Sequence, residues 1–524
     1  MKFTMTRRTF GCTALAAGLA ATFPTLGRTQ ELAAEQTLHI GLSVDDISTL
    51  DPHISTGTGE FEIIQEIYES LVAFREGTMD ATDLRPGLAQ KWEASPDKKT
   101  WTFTLRANVK WHDGSDFTSD DVKFSLERVL NPEFGSPKRA SVANIDTVEA
   151  LPGAVKIALK QPDPNFPQLM VNYDAGLIVS KKAVESGDIK LSPVGTGPFK
   201  FSEYKARESV TLLRNDSYWK GKPVIEQISY LFMSEASTRE LALQTAEVNA
   251  IAIEARQNIV DRVRRFAEVD LTAPANTFYL YINAKKKPFD DIRVRKALAH
   301  ATDPAGLIKF LGVDVAKPET SALPKGYIGH TDDVTQYPYD LGKSKALLIE
   351  AGVADGFSMS INMSNNEIYL PIMQVLQEQW KKAGMVVDLK VVDHPTYHRL
   401  IREDANPVVI YGAFRYPLTG RVYLSQFYKG SSAIGKPTAV TNFSHLGDAI
   451  PGVDDELAKA ELSVDVAEQI HLWEQAQQKI ADTAVSIPLY TQNYAMARSD
   501  VLDLGHVQQS GFYFITEKTR LLAK

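Results

Sequence analysis

Cysteine is almost absent from this chain: 524 residues carry one, Cys12. Disulfide frameworks, thiolate zinc sites and iron–sulfur clusters each need more than that, so none of these is expected. Three further absences narrow the chemistry. There is no Gly-x-Ser-x-Gly elbow, no His-Glu-x-x-His pair and no apolar run after the first thirty residues that is long enough to span a bilayer. No internal repeat or low-complexity tract is present. A net charge of −8 argues against nucleic acid as a partner, because phosphate backbones are held by clustered Lys and Arg. What remains is 44% hydrophobic and 23% charged, the composition of a soluble globular protein, with length for two or three packed domains.

The amino terminus is distinctive. Thr6-Arg7-Arg8-Thr9-Phe10 precedes an apolar Gly/Ala-rich run to Phe23, too short for a membrane anchor. This resembles a twin-arginine export signal, with cleavage expected between Arg28 and Ala34, a signal segment of 1–34 and a periplasmic product. Cys12 lies before the apolar run, which is the wrong side for lipid attachment.

Along the body of the chain, period-two and period-3.6 patterns alternate. Trp101, Phe103 and Leu105 alternate with threonines and mark a half-buried strand. Thr118-x-x-Asp121 is a capping box for a helix with the stripe Val122, Leu126, Val129, Leu130. Asp340 and Gly352 bracket another helix as N-cap and C′ residue, and Ile368–Lys382 predicts a helix that leads directly into the alternating Val387, Leu389, Val391. Helix and strand at short spacing is the grammar of α/β layers.

Several motifs invite a chemical reading and then lose it. Ser95-x-x-Lys98 has the spacing of a serine nucleophile with its lysine, but Pro96 disfavours a helical conformation at Ser95 and the stretch reads as a turn. His112 in His-Asp-Gly reads as a hydrogen-bonding turn residue. Gly195-x-Gly197 lacks the third glycine of a dinucleotide fingerprint, and Pro198 removes an amide that a phosphate would need. His394-x-x-x-His398 has helical metal-ligand spacing without a third ligand in view, so no metal site is expected. The small-residue loop Ser55–Gly59 after the first strand makes Thr56, Gly57 and Thr58 candidates for ligand contact, the alternative being that its glycines only turn the chain.

Seven segments then line up with a known family. Leu88–Arg106, Val109–Gly114, Asp121–Arg128, Gly195–Phe199, Arg214–Trp219, Pro288–Leu298 and Tyr339–Leu348 resemble, in order, the extracytoplasmic solute-binding proteins of ABC importers, in the class that includes dipeptide-, oligopeptide- and nickel-binding proteins. The resemblance implies an α/β, bilobal periplasmic-binding-protein-like fold (type II) with an extra α/β domain inserted in the first lobe. It implies a first lobe from 35–75, 195–280 and 485–524, the extra domain at 76–194 and a second lobe at 285–484. It also implies a monomer without enzyme activity or cofactor, working with an ABC permease and its ATPase subunits. The ligand class it implies is peptide or peptide-like, with an opine-like anion or chelated nickel as alternatives and an exported hydrolase last.

One departure from the family carries information about the ligand. In dipeptide and oligopeptide binders a tryptophan- and aspartate-containing segment of the second lobe supplies a carboxylate for the peptide ammonium. The comparable stretch here, Val409–Leu424, contains no acid. Its Arg415 and Arg421, set among Tyr411, Phe414 and Tyr416, suit a carboxylate or phosphate, since guanidinium pairs bidentately and stacks on rings. With Thr419 these residues complete the expected site. The competing expectation is that both arginines face outward and the aromatics are core.

Overall fold

The computed structural model describes residues 31–171, 174–187, 189–366, 368–416, 418–511 and 515–524. The expected export signal lies outside these residues, apart from its last four positions.

Two long strands organise the molecule. Glu268–Ile282 and Ser486–Arg498 pair antiparallel within a nine-stranded mixed sheet. On one side the sheet continues through Ala250–Ile253, Thr37–Leu42, Gln227–Phe232, Ser209–Arg214 and Phe199–Lys205. On the other it ends in Val408–Ala413, while the short Ala316–Pro318 pairs with Ser486–Arg498. Midway, the register of the two long strands slips between Thr272 and Asn276. An irregularity of this kind interrupts pairing and re-aims side chains.

A separate four-stranded antiparallel sheet, in the order Ala89–Ala94, Thr100–Leu105, Ala154–Leu159 and Ile145–Leu151, lies in the sequence between the helix Thr58–Ile67 and the strand Phe199–Lys205. As the alternation requires, Trp101, Phe103 and Leu105 are buried and their threonine neighbours are half-exposed. Thr118 and Asp121 form the expected capping box on helix Ser119–Leu130, and Asp121 additionally accepts from Trp111 Nε1 at 3.3 Å and from the Lys181 amide at 3.0 Å. The third unit is a parallel pair, Phe357–Ser364 with Met385–Val392, connected by helix Leu370–Lys381.

Two of the family-like segments meet at one carboxylate, and a third packs on them. Glu69 accepts from Thr196 Oγ1 (2.9 Å), Tyr218 hydroxyl (2.8 Å) and Trp219 Nε1 (2.8 Å), and Arg106 stacks over the Trp219 ring at 4.3 Å. Gly195 and Gly197 are small because the chain passes directly against helix Thr58–Ile67: a Cβ on Gly195 would lie 1.8 Å from the Ile67 carbonyl oxygen. His112 staples the same loop. Its Nδ1 accepts from the Gly195 amide (3.2 Å) and its Nε2 donates to the Gly197 carbonyl (3.0 Å), while burial depresses its pKa to about 4 and keeps the ring neutral. The glycine pair is therefore a packing device, and His112 holds it.

Helix Leu341–Glu350 starts at Asp340, whose carboxylate accepts from the Lys343 amide at 2.9 Å, and Gly352 follows it at φ +79°. Replacing Asp340 with alanine orphans that amide and should lower unfolding free energy by about 1 kcal/mol, measurable by urea titration. An unchanged midpoint would mean that water replaces the cap at no cost.

Candidate functional site

Where the two long strands lose register, a cleft of about 660 Å³ opens. One wall comes from the turn after the first strand (Ser43, Val44), the start of helix Thr58–Ile67 (Thr58, Gly59, Glu62) and the segment Ala252–Arg256. The opposite wall is Asn365, Asn366 and Ile368, and the floor is Asn276 with Gln492–Met496 from the long strands. A second hollow of about 510 Å³ shares Arg256, Ile368 and Gln492 and extends past Phe310 and Pro371. Volumes of this order suit small solutes.

The lining is rich in carboxamides: Asn276, Asn365, Asn366, Gln492 and Asn493. Each offers donors and an acceptor, the set that reads hydroxyls, carboxylates and amides. Gln492 is engaged with the Ala255 carbonyl at 3.1 Å, and Asn493 with the Asp314 carbonyl at 3.1 Å. Of the two acids in the lining, Glu254 pairs with Arg256 at 3.2 Å.

The loop expected to meet a ligand is built around Glu60. Its carboxylate accepts five hydrogen bonds, from Ser48 N and Oγ, Thr49 N, Ser55 Oγ and Gly57 N. Burial alone would raise its pKa, but the Ser48 and Ser55 hydroxyls and the Ser48 and Thr49 amides hold it below the ordinary glutamate value. Gly57 is the N-cap of the helix, Thr56 is exposed beside it, and Thr58 lines the cleft.

The second expected group divides. Arg421 is engaged: it pairs with Asp163 at 3.0 Å, in the region expected to form the extra domain. Tyr416 turns the same way, donating to the Gln168 carbonyl at 2.6 Å and meeting the Phe74 ring edge-on at 5.8 Å. Thr419 is buried and bridges to Ile328 at the start of helix Gly420–Tyr428. Tyr411 packs among Phe427, Phe443 and His398, and Phe414 packs against the core.

Arg415 differs from Arg421. It is half-buried, Nε donates to Gln426 Oε1 (2.6 Å), Nη1 donates to the Phe414 carbonyl (3.0 Å), and the guanidinium lies 5.2 Å over Phe427. Among the described residues no carboxylate pairs with it. Ala413 is paired with Thr277, next to cleft-lining Asn276, so Arg415 leaves the strand two residues beyond the cleft floor.

The remaining motifs find structural roles. Ser95 Oγ accepts from the Thr100 amide at 2.9 Å and Lys98 sits at φ +55°, which makes the tetrad a turn. His394 and His398 contact each other through Nε2 at 3.0 Å, and Ser364 Oγ holds His394 Nδ1 at 2.9 Å. Burial and the neighbouring His394 and Arg402 charges depress His398 to about 4. Among the described residues no group of three His, Cys, Asp or Glu could hold a metal ion, and no helix is long and apolar enough to cross a membrane.

Sequence reasoning did not single out Glu62, Asn276, Asn365, Asn366, Gln492 or Tyr494. Glu62 had a readable signal, one helical turn after Thr58 on the same face. The amides had none, because their three separate segments are brought together only by folding.

A cleft floored by two strands that continue into both halves of a molecule is the architecture of a hinged binding protein. Residues 83–434 match the profile of the bacterial extracellular solute-binding proteins, family 5, middle region, and the chain belongs to that family. It is 31% identical over 383 residues to the dipeptide-binding protein of Escherichia coli K12, covering 66% of this chain and 70% of that one. It is 30% identical over 395 residues to the glutathione-binding protein GsiB of Salmonella choleraesuis, covering 74% of each. Among solved structures, MoaA from A. tumefaciens R10 in complex with mannopinic acid superposes with a TM-score of 0.80 at 36% identity, covering 94% of this chain and all of that one. The fold is thus the expected α/β periplasmic-binding-protein type, and the protein is a solute-binding component of the ABC-importer class.

Proposed function

We propose that this protein captures an acidic, hydrogen-bond-rich solute of the opine kind in the periplasm, closes over it by lobe rotation and presents the closed form to an inner-membrane ABC permease. The observation that carries the ligand class is Arg415, a half-buried guanidinium without a carboxylate partner among the described residues, in the segment where peptide binders of this class supply an acid. A charge partly withdrawn from water without a counter-charge is costly, and a binding site is where that cost is recovered. The carboxamide lining supports the same reading, as does the 36% identity to MoaA, solved with mannopinic acid. Ligand contacts from both walls favour the closed state, and no bond need be made or broken. An export signal at 1–34 and monomeric action fit this role.

Native mass spectrometry of the protein from its own host, followed by denaturation, tests the assignment. Release of a single acidic non-peptide species, and micromolar or tighter binding of mannopinic acid by calorimetry, are the expected results. A ladder of short peptides with no affinity for mannopinic acid would overturn it.

A further inference from the structure

Of the two acids in the cleft lining, Glu62 forms no hydrogen bond or ion pair through its carboxylate among the described residues. It projects from the first half of helix Thr58–Ile67, on the face that carries Thr58 and Gly59, and it lines the cleft with them. Two residues earlier, Glu60 accepts five hydrogen bonds; among the described residues no donor reaches the Glu62 carboxylate. Glu254, the other acid in the lining, is paired with Arg256.

The surroundings sharpen the point. Tyr230, on strand Gln227–Phe232, donates its hydroxyl to the Glu62 main-chain carbonyl at 3.1 Å, not to the carboxylate. From helix Ala236–Gln244, Arg239 attracts the carboxylate through space, but its guanidinium is held by the carbonyls of Met233, Ser234 and Ala252. Tyr494, from Ser486–Arg498, has its pKa raised mainly by burial and further by the nearby Glu62 charge. Burial, only partly offset by Arg239, pushes the Glu62 carboxyl up to about 7. The side chain is half-buried, and a carboxylate that accepts no hydrogen bond while lining a cleft is poised for a ligand.

We propose that Glu62 is the cation anchor of this binding protein: its carboxylate receives a protonated amine of the ligand, across the cleft from the carboxamides of Asn365 and Asn366. This rests on the assignment of the cleft as the solute site and deepens it. The charge that the second-lobe segment lacks is supplied by the opposite wall, so the ligand is a zwitterion whose amine and acid groups lie on different walls. Closure then brings the Glu62 and Arg415 charges onto one molecule from two sides.

Calorimetry on the full protein with mannopinic acid, glutathione and the N-acetylated form of each tests this. The expected result is at least tenfold weaker binding of the acetylated probe, and a preference for the free amine that Glu62→Gln abolishes. An amine cation pairs with ionised Glu62 only, so wild-type affinity should fall about tenfold from pH 8 to pH 6 while Glu62→Gln stays flat. Melting at pH 8 without ligand should show the variant folded and more stable than wild type, because a desolvated charge has gone. Equal affinity of Glu62→Gln and wild type for an amine probe across this pH range overturns the inference. Binding of an amine-free dicarboxylate, with none of the amine probes bound, overturns it and leaves the solute-receptor assignment standing. If no small molecule binds or co-purifies, the assignment itself falls.

Discussion

Arg415→Ala is expected to weaken binding of an acidic ligand by about ten- to a hundredfold, with little change in melting temperature. A hydrogen bond to a charged group contributes about 1.5–3 kcal/mol, and each 1.4 kcal/mol is a factor of ten in affinity. In the free protein the guanidinium is held by Gln426 Oε1, by its own preceding carbonyl and by the Phe427 ring, so it is positioned before the ligand arrives. That arrangement leaves the fold little dependent on it, since it bridges no second segment through a carboxylate. Arg415→Lys keeps the charge and loses the planar fork, and should recover only part of the affinity. Titration calorimetry on the three proteins decides the matter. Unaltered affinity in Arg415→Ala would place the anion on the cleft lining itself, with Arg256 the next guanidinium to examine.

The largest stability effect is expected at Arg421. Its pairing with Asp163 joins the helix Gly420–Tyr428 to the 76–194 region, and the Asp163 side chain is only 8% exposed. Truncation to alanine leaves a buried carboxylate without its partner, a change that costs about 3–5 kcal/mol in comparable pairs. The double substitution Arg421→Leu with Asp163→Leu removes both charges and should restore most of the loss. The pH dependence has a definite sign. Burial raises the Asp163 carboxyl above its ordinary value even with Arg421 counteracting. A carboxyl raised in the folded state binds its proton more tightly there than in the unfolded chain, so it favours folding at low pH and disfavours it as pH rises through the folded value. Without Arg421 the raised value climbs further. The deficit of Arg421→Ala should therefore be greatest at pH 7 and shrink toward pH 4, read from urea unfolding at both. A deficit independent of pH would show that lost packing, not the orphaned acid, is responsible.

Much of the scaffold was legible in local patterns because those patterns are closed by short-range physics. The alternation of Trp101, Phe103 and Leu105 makes a strand with one wet face, Thr118 and Asp121 cap the helix that follows, and Asp340 and Gly352 bound another. The glycines at 195 and 197 were readable as something other than a dinucleotide fingerprint. Their reason, the passage of the chain against the Ile67 carbonyl, was not, because 128 residues separate the two positions.

The site was legible only in part. An aromatic stretch with two arginines and no acid suggested an anion site, yet the two guanidinium groups have opposite fates. Arg421 meets Asp163, more than two hundred residues earlier in the chain, whereas Arg415, six residues before it, meets only an amide, a carbonyl and a ring. Sequence specifies that both charges exist; which one is neutralised depends on the long-range packing of helix Gly420–Tyr428 against the 163–170 segment. The same holds on the other wall. Glu60 and Glu62 are two residues apart and chemically alike, but the helix turns one into a loop rich in donors and the other into the cleft. The sequence by itself determined the family, the layer type, the caps and the absence of an acid from the Val409–Leu424 segment, since each depends on neighbours within a turn or two. Which charges stay unpaired was decided by tertiary structure alone, because satisfaction of a charge is a property of everything packed around it.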